Sequence, residues 1–215
     1  TRLPRAIRDV YKRQVYMYME EHSNTQTLVE ALIQSSSQSF KFHGVVAMQL
    51  FLSDDLELPS KVDICVERKK LIDVVKAIPN YFNVRLFNKA GECSDSHNMS
   101  LKEITHANVY DEERQIMEIF VYDVVNDEWI FRLNSQIRLP KNNIYFHSLN
   151  YDVDYIKPEI VLMYDLLDNQ NYHQFSNYKK VIDSLSYYQF FILKLVVGEK
   201  RIKEAILNNK KILEA

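Results

Sequence analysis

Residues 61–66, "KVDICV", alternate strictly: Val62, Ile64 and Val66 fall on one side of an extended chain, Asp63 and Cys65 on the other. That period of two predicts a strand with one apolar and one polar face. The next stretch, "ERKKLIDVVKAI", changes period: Leu71, Ile72, Val74, Val75 and Ile78 recur at helical spacing and predict an amphipathic helix. Upstream, "GVVAMQLFL" (44–52) is apolar on every side, as a short buried helix would be, and Ser53, Asp54 and Asp55 close it. Residues 15–34 predict an earlier helix, with a break near Ser23 and Asn24 and a stripe formed by Met19, Leu28, Ala31 and Leu32.

After Pro79 the pattern turns to strands. "YFNVRLF", "HANVY", "QIMEIFVYDVV", "EWIFRL" and "NIYFHS" are β-branched or aromatic runs separated by polar turns. From Lys157 the period returns to helical. "KPEIVLMYDLL", "YHQFSNYKKVIDSL", "YYQFFILKLVV" and "EKRIKEAILNNKKIL" are four consecutive helical segments, and Pro158 suits a first helical turn. The expected plan is a mixed α/β domain over residues 15–150 followed by a helical domain over 151–215. Residues 1–14 are read as a non-native or disordered start and are given no function, despite Arg2, Arg5, Arg8, Lys12 and Arg13. Aromatics at helical spacing in Tyr187, Tyr188, Phe190 and Phe191 are read as bundle core rather than as a base-stacking surface.

Composition narrows this picture. A chain of 215 residues with 14 tyrosines, 11 phenylalanines, 3 glycines and 5 prolines has core-forming material and little loop character. A net charge of −2 supplies no general pull toward nucleic acid or a membrane surface. No apolar run reaches the roughly 20 residues of a membrane helix. Cys65 and Cys93 lack the spacing of a redox or zinc motif, which fits reduced thiols in a cytoplasmic setting. No pair of histidines has zinc-site spacing, and neither cysteine is arranged as a nucleophile beside a histidine.

The order of these elements resembles the nucleotidyltransferase superfamily of polymerase-β type, and in texture the small bacterial aminoglycoside and lincosamide adenylyltransferases. "HGVVAMQL" is similar to that family's glycine-led helix, with Gly44 as the surviving glycine. "KVDICV" is similar to its D-x-D strand, with Asp63 as the second acid. "MEIFV" is similar to the strand of the third carboxylate, with Glu118 in the acidic position, and "IKPEIVLMYDLL" to the start of the C-terminal helices at Pro158 and Glu159. The resemblance spans residues 28–197. It implies an α/β (α+β) fold with a mixed sheet, flanking helices and a C-terminal bundle. It further implies Mg²⁺ held by Asp63 and Glu118, a nucleoside triphosphate as substrate, and Gly44, Val45 and Lys61 near its phosphates. The activity implied is transfer of a nucleoside monophosphate to a hydroxyl of a small-molecule acceptor.

The chemistry explains that residue set. Charge builds on the α-phosphate oxygens during transfer, and two Mg²⁺ ions held by clustered carboxylates clamp the attacking and leaving oxygens. A helix amino terminus adds free N–H groups and a positive dipole end for the triphosphate. Against that requirement the chain departs from the family. Lys61 stands two residues before Asp63, Val45 follows Gly44, Asp165 occupies the expected basic position, and His173 and Asn177 stand where acids are expected. Asp55 or Glu57 could replace the lost acid, and His43 could meet a phosphate or serve as a cap. The alternative function is therefore a catalytically impaired relative that binds a nucleotide or a protein, and a homodimer is compatible with either reading. The bundle is expected to close a ligand cleft over Gly44 and Asp63.

Overall fold

The computed structural model describes residues 24–94, 100–167 and 178–213, with the side chains of residue 94 and of 208–213 left aside. The expectations for residues 1–23, for His173 and for Asn177 lie outside them. Ten strands form a mixed sheet among the described residues: β1 (Phe40–Phe42), β2 (Val62–Glu67), β3 (Asn83–Asn88), β4 (Cys93–Ser94), β5 (Ile104–Asp111), β6 (Arg114–Val125), β7 (Glu128–Ile130), β8 (Arg138–Pro140), β9 (Tyr145–Ser148) and β10 (Val153–Ile156). Their order is β4-β3-β5-β6-β2-β1-β10-β9, with β7 and β8 extending from the far end of β6. The β2–β6 and β1–β10 pairs are parallel and the others antiparallel.

The fold is therefore the expected mixed α/β sheet with flanking helices. The "KVDICV" and "MEIFV" segments lie side by side in parallel, with Asp63 opposite Glu118. Val62, Ile64 and Val66 on β2 are fully buried, as are Met117 and Ile119 on β6. Their apolar burial anchors the two strands, and the period of two then forces Asp63, Cys65 and Glu118 to share the opposite face.

Helix α1 (residues 24–36) buries Leu28 and Leu32. Its Thr25 hydroxyl donates to the Ser60 carbonyl at 2.8 Å, tying down the chain just before Lys61. Helix α2 (Gly44–Ser53) buries Val46, Ala47, Met48 and Leu50, and Asp54 in the left-handed region ends it as expected. The amphipathic segment after β2 forms one 3-10 turn and then α3 (Leu71–Ala77), which buries Leu71 and Val74 while Ile72 is exposed.

After β10 come α4 (Pro158–Leu167), α5 (Tyr178–Ser184), α6 (Tyr187–Val197) and α7 (Glu199–Leu213). Seven of the ten residues of α4 are buried. Buried Glu159 accepts from the Gln189 amide at 2.6 Å, and Gln189 also completes the capping box of Ser186, so one side chain both starts α6 and fixes it to α4. Two sequence expectations need adjustment. Residues 153–156, assigned to the helical part, are a strand of the main sheet beside β1. The aromatics of α6 are not bundle core: Tyr187 is 85% exposed, Tyr188 67% and Phe191 47%, while Phe190 packs inward. "YYQFFILKLVV" is apolar on all sides, so its sequence does not say which side faces in. No helix among the described residues is long and apolar enough to cross a membrane.

Candidate functional site

Asp63 and Glu118 face each other across β2 and β6, and Lys61 lies between their carboxylates. The Lys61 ammonium donates to Glu118 Oε2 at 2.6 Å and stands 3.4 Å from Asp63 Oδ1. The Asp63 side chain is 9% exposed, Glu118 18% and Lys61 29%. At 3.4 Å the Asp63 contact is an ion pair, and Asp63 Oδ1 accepts no hydrogen bond within the described structure. Burial pushes the Asp63 carboxyl up to about 6; Lys61 opposes that rise and Glu118 adds to it. Burial presses the Lys61 ammonium down, but the charges of Asp63 and Glu118 outweigh it and hold it above the ordinary lysine range.

The helix that Gly44 leads meets the same carboxylate. Gly44 has φ 57°, and a Cβ there would stand 2.6 Å from Asp63 Oδ2. The glycine is thus demanded by a left-handed backbone and by an aspartate at the amino end of α2. The Asp63 carboxylate occupies the positive end of that helix, the place offered to a triphosphate in the sequence reading. Val45, expected beside it, is half-buried.

His43 precedes Gly44 and is N-cap of α2 without a side-chain capping bond. Its backbone N–H donates to the Asp63 carbonyl at 2.8 Å, and its ring lies against Phe120 and Tyr164, 5.2 and 5.8 Å between centroids. Burial, reinforced by the Arg132 charge, pulls the imidazole down to about 3, so it is neutral. Its Nδ1 is buried without a partner. Cys65 follows Asp63 on the same face, and burial pushes its thiol far up, leaving it protonated.

These groups line a cleft between β2, β6 and α4, where Trp129, Tyr164 and Arg132 form the opposite wall. The cavity it encloses is small, about 30 Å³. Along the same sheet face, past Tyr122, lies a wider polar hollow of about 400 Å³ around Lys41, Glu67, Tyr145 and Asp154. Its lysines are engaged: Lys41 with Asp154 at 3.2 Å and Lys69 with Glu67 at 2.7 Å.

The sequence-derived candidates are distributed as follows. Asp63, Glu118, Lys61 and Gly44 converge. Asp55 and Glu57 do not: both are exposed, and Asp55 instead accepts from the Tyr151 hydroxyl at 3.1 Å. Asp165 lines the cleft and accepts from the Tyr178 hydroxyl at 3.3 Å. Arg132, Trp129 and Tyr164 were not foreseen. Trp129 and Arg132 reach the site only because β7 folds back on the far end of β6, and no local pattern announces such a return. Cys65 was legible, since it shares Asp63's face in the alternation itself.

The implied Mg²⁺ does not fit this arrangement. The space between Asp63 and Glu118 holds an ammonium, which repels a divalent cation. Among the described residues no three His, Cys, Asp or Glu side chains gather as a metal site. Both neighbours of Asp63 on its face, Lys61 and Cys65, are non-acidic, so no adjacent D-x-D pair exists whichever way the motif is aligned. A protonated thiol is a poor ligand for so hard a cation.

The raised carboxyl has a consequence for stability. Its folded pKa of about 6 exceeds the ordinary 3.8. Between those values the unfolded chain has released a proton that the folded chain keeps, so Asp63 lowers stability as pH rises from about 4 to 6 and contributes no further change above. Two units correspond to roughly 3 kcal/mol. Asp63→Asn should flatten this part of the stability–pH curve, read from urea unfolding at pH 4, 5, 6 and 7. An unchanged slope would show that Asp63 is not the titrating group.

Comparisons with known proteins add little. No family model and no curated protein matches the chain. Among solved structures, the crystal structure of the Megavirus polyadenylate synthase aligns over 88% of this chain and 36% of that one, with a TM-score of 0.40 and 10% identity. The chain thus spans about a third of that enzyme's length. Likeness of that depth decides neither fold nor chemistry, which rest on the sheet and side chains described above.

Proposed function

We propose that this chain is a nucleotidyltransferase-like protein whose cleft takes a nucleotide and whose transfer chemistry is silenced at Lys61. The observation that carries this reading is the Lys61 ammonium held between Glu118 at 2.6 Å and Asp63 at 3.4 Å. Two-metal transfer needs a cage of negative charge open to cations, and a lysine clamp supplies its opposite. The nucleotide half of the reading is supported by the order of glycine-led helix, acidic strand, second acidic strand and helical cover. It is supported also by a cleft with aromatic walls and few convergent polar groups, one of which, His43 Nδ1, is buried and unpartnered. Transfer to a small-molecule hydroxyl, the other expectation, is an outcome the same experiment can return.

Calorimetric titration with ATP, with and without Mg²⁺, separates these readings. The expected result is weak binding that Mg²⁺ changes little. Tight binding only with Mg²⁺, together with pyrophosphate release when acceptors are offered, would establish an active transferase. Absence of binding in both conditions would leave a protein-binding scaffold and reject the nucleotide.

A further inference from the structure

We infer that Arg132 is the phosphate-binding residue of this cleft; the inference rests on the nucleotide reading above. A nucleotide brings two to four negative charges, which need a cation with free donors. The inner cation cannot serve, because Lys61 is committed to Glu118 and Asp63. The amino end of α2 cannot serve either, because the Asp63 carboxylate already stands there, 2.6 Å from the site of a Gly44 Cβ. His43 is neutral.

Arg132 is the one Lys or Arg among the cleft's described lining residues. It is exposed, and its guanidinium makes no hydrogen bond or ion pair with any described residue. Its charge nonetheless reaches inward, where it acts on His43, Cys65 and Tyr164. The neighbouring carboxylates, Asp63 and Asp165, are held by Lys61 and by the Tyr178 hydroxyl. The backbone below it is anchored. Phe131 is fully buried and its N–H donates to the Ile137 carbonyl at 3.0 Å, and its ring packs on Tyr164 at 4.8 Å between centroids. The narrow interior, about 30 Å³, leaves the buried His43 Nδ1 without a partner but has no room for a phosphate chain. The phosphates therefore lie at the mouth, where a planar guanidinium binds their oxygens two at a time.

The test compares ATP, pyrophosphate and adenosine on wild-type protein, Arg132→Ala and Arg132→Lys, by calorimetry at low and moderate salt. Arg132→Ala should weaken ATP by about tenfold or more while leaving adenosine unchanged. Arg132→Lys should restore part of that loss, and the wild-type advantage should shrink as salt rises. ATP bound equally by wild type and Arg132→Ala would overturn the inference and leave the nucleotide reading intact. So would an equal loss for ATP and adenosine, which marks a structural role. Pyrophosphate bound through Arg132 without ATP or adenosine would keep the anion site and reject the nucleotide. No binding of any of the three to wild type would overturn both.

Discussion

Gly44→Ala is expected to destabilise the fold by about 2–5 kcal/mol, the sum of a strained backbone and a displaced carboxylate. The first part is general: a non-glycine residue at φ 57° costs roughly 1–2 kcal/mol. The second is specific to this site. The new methyl would meet Asp63 Oδ2 at 2.6 Å, with Asp63 Cβ and Cγ only 3.3 and 3.4 Å away. A short, buried side chain has little room to yield, so it must turn from Lys61 to do so, and a buried carboxylate left without its partner costs about 1–3 kcal/mol. In an Asp63→Ala background Gly44→Ala should fall toward the backbone part alone, about 1–2 kcal/mol. Urea unfolding of the single and double variants checks this, and an equal loss with and without the Asp63 carboxylate would remove it from the explanation.

The second large effect concerns the clamp. Lys61→Asp replaces an ammonium by a third carboxylate beside Asp63 and Glu118, and a partly buried cluster of like charge should cost about 3–5 kcal/mol without cations. If the three acids converge where the ammonium now stands, millimolar Mg²⁺ should raise the variant's melting temperature, because binding to the folded state alone adds RT ln(1 + [L]/Kd). Wild-type protein should show no such rise. Lys61→Met isolates the loss of the cation: it should destabilise without gaining a response to Mg²⁺. A Lys61→Asp variant indifferent to Mg²⁺ would mean that residue 61 does not occupy the position of a metal-binding acid.

How far these residues could be read from the chain follows from the range of the forces involved. Alternation in "KVDICV" and "MEIFV" put Asp63, Glu118 and the apolar core on opposite faces of neighbouring strands, because burial imposes a period of two on any strand with one covered side. Lys61 could be recognised as a foreign charge in that pattern. Its bond to Glu118 could not, since that depends on a parallel register between segments more than fifty residues apart. Strand β1, "FKF", is too short for any period to emerge, and β10 was taken into the helical part for the same reason. Gly44 was visible as a helix start but not as a residue demanded by Asp63, a contact made only when α2 folds back over β2. Arg132 fell within "EWIFRL", read as a strand run, but β7 ends at Ile130, and tertiary folding alone carries the residue to the cleft.

A lysine, not a metal, holds Asp63 and Glu118 together. Titration of the wild-type protein with Mn²⁺, followed by the loss of its free-ion electron paramagnetic resonance signal, tests it directly. The lysine clamp predicts no saturable site below the millimolar range at neutral pH, and one appearing in Lys61→Asp. A submicromolar to micromolar Mn²⁺ site in the wild type, lost in Asp63→Asn or Glu118→Gln, would contradict it.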